Sequence, residues 1–249
     1  MAVEIQLPLP WSKGQTFTFE EMRPLTWLVG PNGSGKSRFL KAIRDVPELS
    51  AENPRLLSTD RLAGSRNDET TEHLWASRVK KGLRLDQFEQ LLAANHRGGA
   101  LVGSLALLHK RSDLRVRIEA TLSSLLNRQL RLTLANGFLV SKIRHGASEY
   151  EMHSDECHGV LELVCLLANI YDNETKLLLV DEPELNLHPQ YQAFLIEEIR
   201  QAGKRVVLAT HSPSILDVKT MEDLAARGGS RRAASRRDRR RWRGDETKL

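Results

Sequence analysis

Apolar residues recur along this chain with two different periods. Glu4–Leu7 and Thr16–Phe19 are short strand candidates, the second alternating Thr with Phe as a half-buried strand does. Leu25–Val29 is apolar and runs directly into a glycine-rich loop. A helix is predicted from Gly35 to about Val46, burying Phe39, Leu40 and Ile43, with Pro47 as its stop. Arg55–Ser58 is a further strand candidate.

Residues 66–128 change to helical spacing. Leu85, Phe88, Leu91 and Leu92 share a face, as do Leu101, Leu105 and Leu108, and then Ile118, Leu122, Leu125 and Leu126. A largely helical subdomain is expected, broken near Gly98-Gly99. Leu130–Ala135 and Phe138–Arg144 alternate around Asn136-Gly137, a strong hairpin turn signal.

The last third predicts alternating helix and strand. Val160–Tyr171 reads as a helix. Lys176–Asp181 carries the continuous apolar run of a strand covered on both faces. Pro189 suits the first turn of a helix running to about Gln201, burying Tyr191, Phe194, Leu195 and Ile199, with Gly203 past its end. Arg205–Thr210 is another buried strand, ending at His211. Strand, helix and strand at this spacing imply a parallel sheet.

Charge changes the picture at one place only. The net charge of +5 is misleading, because residues 227–249 hold ten basic against three acidic residues. The other 226 residues hold 27 basic and 29 acidic groups, so nucleic-acid binding by the body cannot be argued from the overall charge. Ser230–Arg243 contains eight arginines and is expected to be disordered. It reads as a nonspecific binder of nucleic acid or acidic partners, as a solvated tail, or as the product of a shifted reading frame. The expected division is an α/β core at 1–65 and 129–225, a helical subdomain at 66–128 and a basic tail at 226–249. No apolar run is long enough for a transmembrane helix, and the N-terminus lacks a signal-peptide pattern. Cys157 and Cys165 are expected to be buried, reduced thiols of a cytoplasmic protein.

The chemistry starts at Gly30-Pro31-Asn32-Gly33-Ser34-Gly35-Lys36-Ser37, which fits G-x-x-x-x-G-K-[ST] without deviation. Its glycines let consecutive backbone N–H groups turn inward into an anion site, and the following helix adds its positive end. Lys36 is expected on the β- and γ-phosphates of ATP, and Ser37 on Mg²⁺. The strand Leu177–Val180 ends in Asp181-Glu182. At the carboxyl edge of a parallel sheet these acids face the ligand crevice. Asp181 then serves Mg²⁺, and Glu182 orients and deprotonates the attacking water.

The run Asp181-Glu182-Pro183-Glu184-Leu185-Asn186-Leu187-His188-Pro189 resembles ATPases with an ABC-type head. Its Asn-Leu-His-Pro form is similar to the AAA-annotated, non-transporter branch, which includes overcoming-lysogeny-defect, RecF-like and SMC-like ATPases. Thr210-His211-Ser212-Pro213 resembles that branch's switch histidine. The resemblance covers about residues 1–60 and 150–218. It implies an α/β P-loop NTPase with a mainly parallel sheet, carrying the helical subdomain between the P-loop and the signature segment. It also implies a head-to-tail homodimer with ATP between one subunit's P-loop and the other's signature segment. His211 would then contact the γ-phosphate or the attacking water.

The signature segment here reads His153-Ser154-Asp155-Glu156-Cys157-His158-Gly159. Ser154 fits either a trans phosphate contact or a plain helix cap. Glu156 stands where glycine is usual. Asp60 or Arg61, after the strand at 55–58, could work near the nucleotide or form a surface ion pair. The resemblance leaves three functions: an ATPase in DNA maintenance, phage defence or a toxin-like switch, with DNA or a protein as partner; the energy subunit of a transporter; or a nucleotide-binding regulator that does not hydrolyse.

Overall fold

The computed structural model describes residues 3–6, 16–19, 23–62, 83–84, 90, 92, 99–212 and 215. Residues 1–211 form one unit and 212–249 a second, of which only Ser212 and Ile215 are described. The arginine-rich tail therefore lies outside the described residues.

Four short apolar strands run parallel in one sheet. They are β3 (Leu25–Val29), β4 (Arg55–Leu57), β9 (Leu177–Asp181) and β10 (Arg205–Thr210), in the order β3-β10-β9-β4. Leu208 of β10 lies opposite Trp27 on one side and Val180 on the other. Alternation sends Leu177, Leu179, Val207 and Ala209 to one face, where they pack with Phe39, Leu40 and Ile43 of helix α1 (Lys36–Arg44). Leu178, Val180, Val206 and Leu208 point the other way and are equally buried. Both faces are covered, which is why these strands lack polar alternation. Pro47 does not merely stop α1: it opens a 3₁₀ turn, Pro47–Glu52, at a position where its missing N–H costs nothing.

Strand β1 (Val3–Gln6) pairs antiparallel with β2 (Thr16–Phe19). A second antiparallel sheet contains β5 (Leu83–Arg84), β6 (Gln129–Ala135), β7 (Phe138–His145) and β8 (Ser148–Glu151). The β6–β7 turn has positive φ at Asn136 and Gly137, as a tight hairpin needs.

The segment expected to be helical is mixed among its described residues. It holds α2 (Leu101–Lys110) and α3 (Ser112–Leu126), but Leu83–Arg84 is a strand paired with Phe138 and Leu139. Leu92 is buried in a helical position, whereas Leu85, Phe88 and Leu91 lie outside the described residues. After a single turn, α4 (Met152–Asp155), comes α5 (His158–Tyr171), buried at every residue from Val160 onward. A helix buried on all sides belongs at the centre of a domain, and α5 packs against α2, α3 and α6 (Pro189–Gln201). On α6 the buried positions are Gln192, Leu195, Ile196 and Ile199, whereas Tyr191 and Phe194 are only half-buried. Among the described residues no helix is long and apolar enough to cross a membrane.

Candidate active site at the carboxyl edge of the parallel sheet

All four parallel strands end on the same edge, so four loops meet there: the glycine loop after β3, Ser58–Leu62 after β4, Glu182–His188 after β9 and His211 after β10. Gly33 and Gly35 have φ of 79° and 93°, the left-handed values that let the loop curl before α1 starts. The N-cap residue of α1, Gly35, makes no side-chain cap hydrogen bond, and the positive end of a helix starting at such a loop attracts an anion. Lys36 lies back over the loop: its Nζ donates to the Gly30 carbonyl at 2.8 Å and the Pro31 carbonyl at 3.2 Å, and sits 3.7 Å from Glu182 Oε1.

Asp181, the last residue of β9, is 4% exposed. Burial pushes its carboxyl above the usual range, while the Ser37 hydroxyl bonded to it, Lys36 and Arg61 oppose the shift. Its Oδ1 is buried without a hydrogen-bond partner. An orphaned carboxylate oxygen next to a serine hydroxyl is a hard-donor set that fits Mg²⁺. Glu182 leaves the strand with φ 48°, a costly conformation for a residue with a Cβ. Its N–H still donates to the Ala209 carbonyl at 2.8 Å. Its carboxylate reaches Lys36 through Oε1 and lies 2.5 Å from His211 Nδ1 through Oε2. The arrangement can hold a water against a carboxylate flanked by one ammonium, one imidazole and the Glu184 carboxyl.

Two further residues belong to this edge. Glu184 accepts the Thr210 hydroxyl on Oε1, its Oε2 is buried without a partner, and burial pushes its carboxyl up. Ligand atoms of Glu182, Glu184 and His211 lie within 4.8 Å of one another. Arg61 is not a surface ion-pair residue. It is 1% exposed, bonded to Glu162, and donates to the carbonyls of Asp181 at 2.8 Å and Glu182 at 3.0 Å. A turn after β4 was readable, but nothing in one sequence says that its arginine points inward.

Ser154 is not the cap of the long helix. It lies exposed within α4, and the residue at the N-cap of α5 is Cys157, whose N–H donates to Glu156 Oε1 at 2.9 Å. Among the described residues Ser154 has no hydrogen bond to the group around Lys36. Glu156, standing in place of a glycine, also accepts from Tyr150 Oη at 2.7 Å and Arg128 Nε at 3.0 Å. Cys157 is exposed and only Cys165 is buried, against the expectation of two buried thiols.

A P-loop, an adjoining Asp-Glu pair and a parallel sheet define a nucleotide-binding ATPase domain of the α/β class. The chain belongs to the family described as "AAA domain, putative AbiEii toxin, Type IV TA system", which matches residues 49–217 and thus includes Arg61, Asp181, Glu182 and His211. The glycine loop precedes the matched region. No curated protein matches the chain. One similar solved structure is an Smc head bound to the C-winged helix domain of ScpA, with 12% identity, a TM-score of 0.45, and 72% of this chain and 52% of that one covered. Another is an Smc head with an extended coiled coil, bound to the C-terminal domain of ScpA, from Pyrococcus furiosus, with 12% identity, a TM-score of 0.36 and coverage of 72% and 59%. The chain spans between half and three fifths of the length of these structures.

Proposed function

We propose that this chain binds ATP with Mg²⁺ and hydrolyses it, and that ATP closes a homodimer. The observation that carries the reading is the contact of Glu182 with both Lys36 and His211, beside the Asp181–Ser37 pair. Phosphoryl transfer needs little covalent chemistry from the protein, so positioning and charge do most of the work. The loop N–H groups and α1 hold the phosphates. Lys36 exchanges a loop carbonyl for a phosphate oxygen. Ser37 and Asp181 would hold Mg²⁺, which would supply positive charge to the phosphates. Glu182 takes the proton of the attacking water, and His211 orients that carboxylate while reaching toward the γ-phosphate. Ser154, exposed on its turn, is available to a second subunit's nucleotide.

The family description names a toxin of a type IV toxin–antitoxin system. That favours a toxin-like switch, with phage defence and DNA maintenance as the neighbouring readings, in the cytoplasm. Phosphate release with Mg²⁺ and ATP tests the core of the proposal. Lys36→Ala should abolish nucleotide binding. Glu182→Gln should keep binding and lose ~10²–10⁴-fold in kcat, the usual contribution of a general base. Equal rates for wild type and Glu182→Gln refute the assignment of the base. Light scattering of Glu182→Gln with saturating ATP should give a dimer, and a monomer there refutes closure by nucleotide.

A further inference from the structure

The guanidinium of Arg61 has five N–H donors in a fixed plane. Its Nε donates to Glu162 Oε2. Nη1 donates to the carbonyls of Ser58 at 3.0 Å and Asp181 at 2.8 Å, and Nη2 to the Glu182 carbonyl at 3.0 Å. With the Glu182 N–H held by Ala209, every backbone polar group from the Asp181 carbonyl to the Glu182 carbonyl has a fixed partner. This is the stretch whose left-handed backbone aims the Glu182 side chain, and a strained residue persists only where its surroundings over-determine it.

The same pair also holds the other end of the loop. Glu162 Oε1 accepts Asn186 Nδ2 at 3.2 Å, and Asn186 is the loop's second left-handed residue, with φ 60°. Gly159, one turn before Glu162 on α5, faces the same segment: a Cβ there would lie 2.9 Å from the Asn186 carbonyl oxygen. A buried pair gains little net stability over apolar side chains of the same volume, so stability alone is a weak reason for this one.

We propose that Arg61 and Glu162 are positioning residues that fix the Glu182 carboxylate by clamping the backbone of residues 181–186 against the start of α5. The inference rests on the hydrolysis proposed above. Arg61→Lys keeps the charge and loses the fork, and a carboxylate displaced by about 1 Å costs on the order of 10² in rate. The expected result is a kcat lowered ~30–100-fold with ATP affinity, measured on a fluorescent ATP analogue, within ~3-fold of wild type. Glu162→Gln should show the same split, and Gly159→Ala, which presses on Asn186, a smaller one. Unchanged kcat in Arg61→Lys and Glu162→Gln, or kcat that falls only in proportion to the folded fraction, overturns the clamp.

A second measurement separates this idea from the ATPase reading. In nucleotide-free protein, amide exchange over residues 182–187 should accelerate at least ~10-fold in Arg61→Lys, with β4 and β10 unchanged. Exchange that is unaltered over 182–187, or equally faster in all strands, refutes the clamp whether or not wild type turns over ATP. A wild type that releases no phosphate refutes the ATPase reading alone.

Discussion

Among the described residues Arg55 and Arg61 are the two largest fully buried side chains, Arg55 opening β4 and Arg61 standing six residues later in the turn that follows it. Each reaches an acid of α5: Arg61 meets Glu162 near the helix start, and Arg55 meets Asp172 at the helix C-cap at 2.9 Å. The helix is thus held at both ends by the same chemistry. The difference lies in what else each arginine touches. Arg55 donates to the Asn169 side chain at 2.9 Å, and Lys204 closes the site by donating to the carbonyls of Asn169 and Asp172. Everything at that end belongs to the scaffold. Arg61 directs two bonds to the backbone that carries Glu182. Buried charge alone therefore does not mark a functional group, whereas the destination of its hydrogen bonds does.

The largest expected effect breaks the scaffold end. Arg55→Met leaves the buried Asp172 with only the more distant Arg111 guanidinium, at 3.7 Å, and breaking a buried pair in this way costs ~3–5 kcal/mol. Denaturant melts should show that loss, while turnover per folded molecule stays at the wild-type level. Arg61→Lys should do the reverse. If Arg55→Met lowers kcat as far as Arg61→Lys does, the two ends do not have separate roles.

The next effect is a pH dependence confined to the Arg55 end. Burial pushes the Lys204 ammonium down to about 8, against the attraction of Asp172 and with Arg55 adding repulsion. An unfolded lysine titrates near its ordinary 10.5, so between these values the unfolded chain binds more protons than the folded one. Stability should therefore gain from Lys204 as pH rises from 8 toward 10.5, with a slope of at most ~1.4 kcal/mol per pH unit. Lys204→Met should lack that component in melts taken from pH 7.5 to 10. Identical slopes in the two proteins would remove the lysine from this account.

The two ends were not equally legible in the sequence. The glycine loop and the Asp181-Glu182 strand end announce themselves because their patterns are local: a turn, a helix start, an apolar run meeting solvent. The parallel sheet followed from the same logic, since Leu177–Asp181 and Arg205–Thr210 carry no polar alternation. Arg55 and Arg61 gave no such signal. Their partners Asp172 and Glu162 lie more than a hundred residues away, and an arginine near a strand end ordinarily faces water. Glu184 was hidden for a similar reason, because its partner Thr210 is brought in by the pairing of β9 with β10. Ser154 went the other way. The local pattern fitted a cap or a trans contact, and the cap is overturned because the chain forms a separate turn and restarts with Cys157 as the N-cap of α5.

The smallest effect uses the two cysteines as reporters on α5. Cys165 is fully buried between the two ends, within 3.6 Å of Ser104 Oγ, and its carbonyl accepts Asn169 Nδ2 at 2.7 Å. Burial pushes its thiol up to about 11, so at pH 8 roughly one molecule in a thousand carries the reactive thiolate even where a reagent could reach it. Cys157, at the helix start, is exposed. An aromatic disulfide reagent at pH 8 should therefore label one thiol per native chain and two in denaturant. Because the Arg61 clamp acts on the loop rather than on the helix interior, Arg61→Lys should leave slow labelling of Cys165 within ~3-fold of wild type. Rapid labelling of Cys165 in that variant would mean that the helix itself has loosened, and the clamp would then be part of the scaffold, like its counterpart at Arg55.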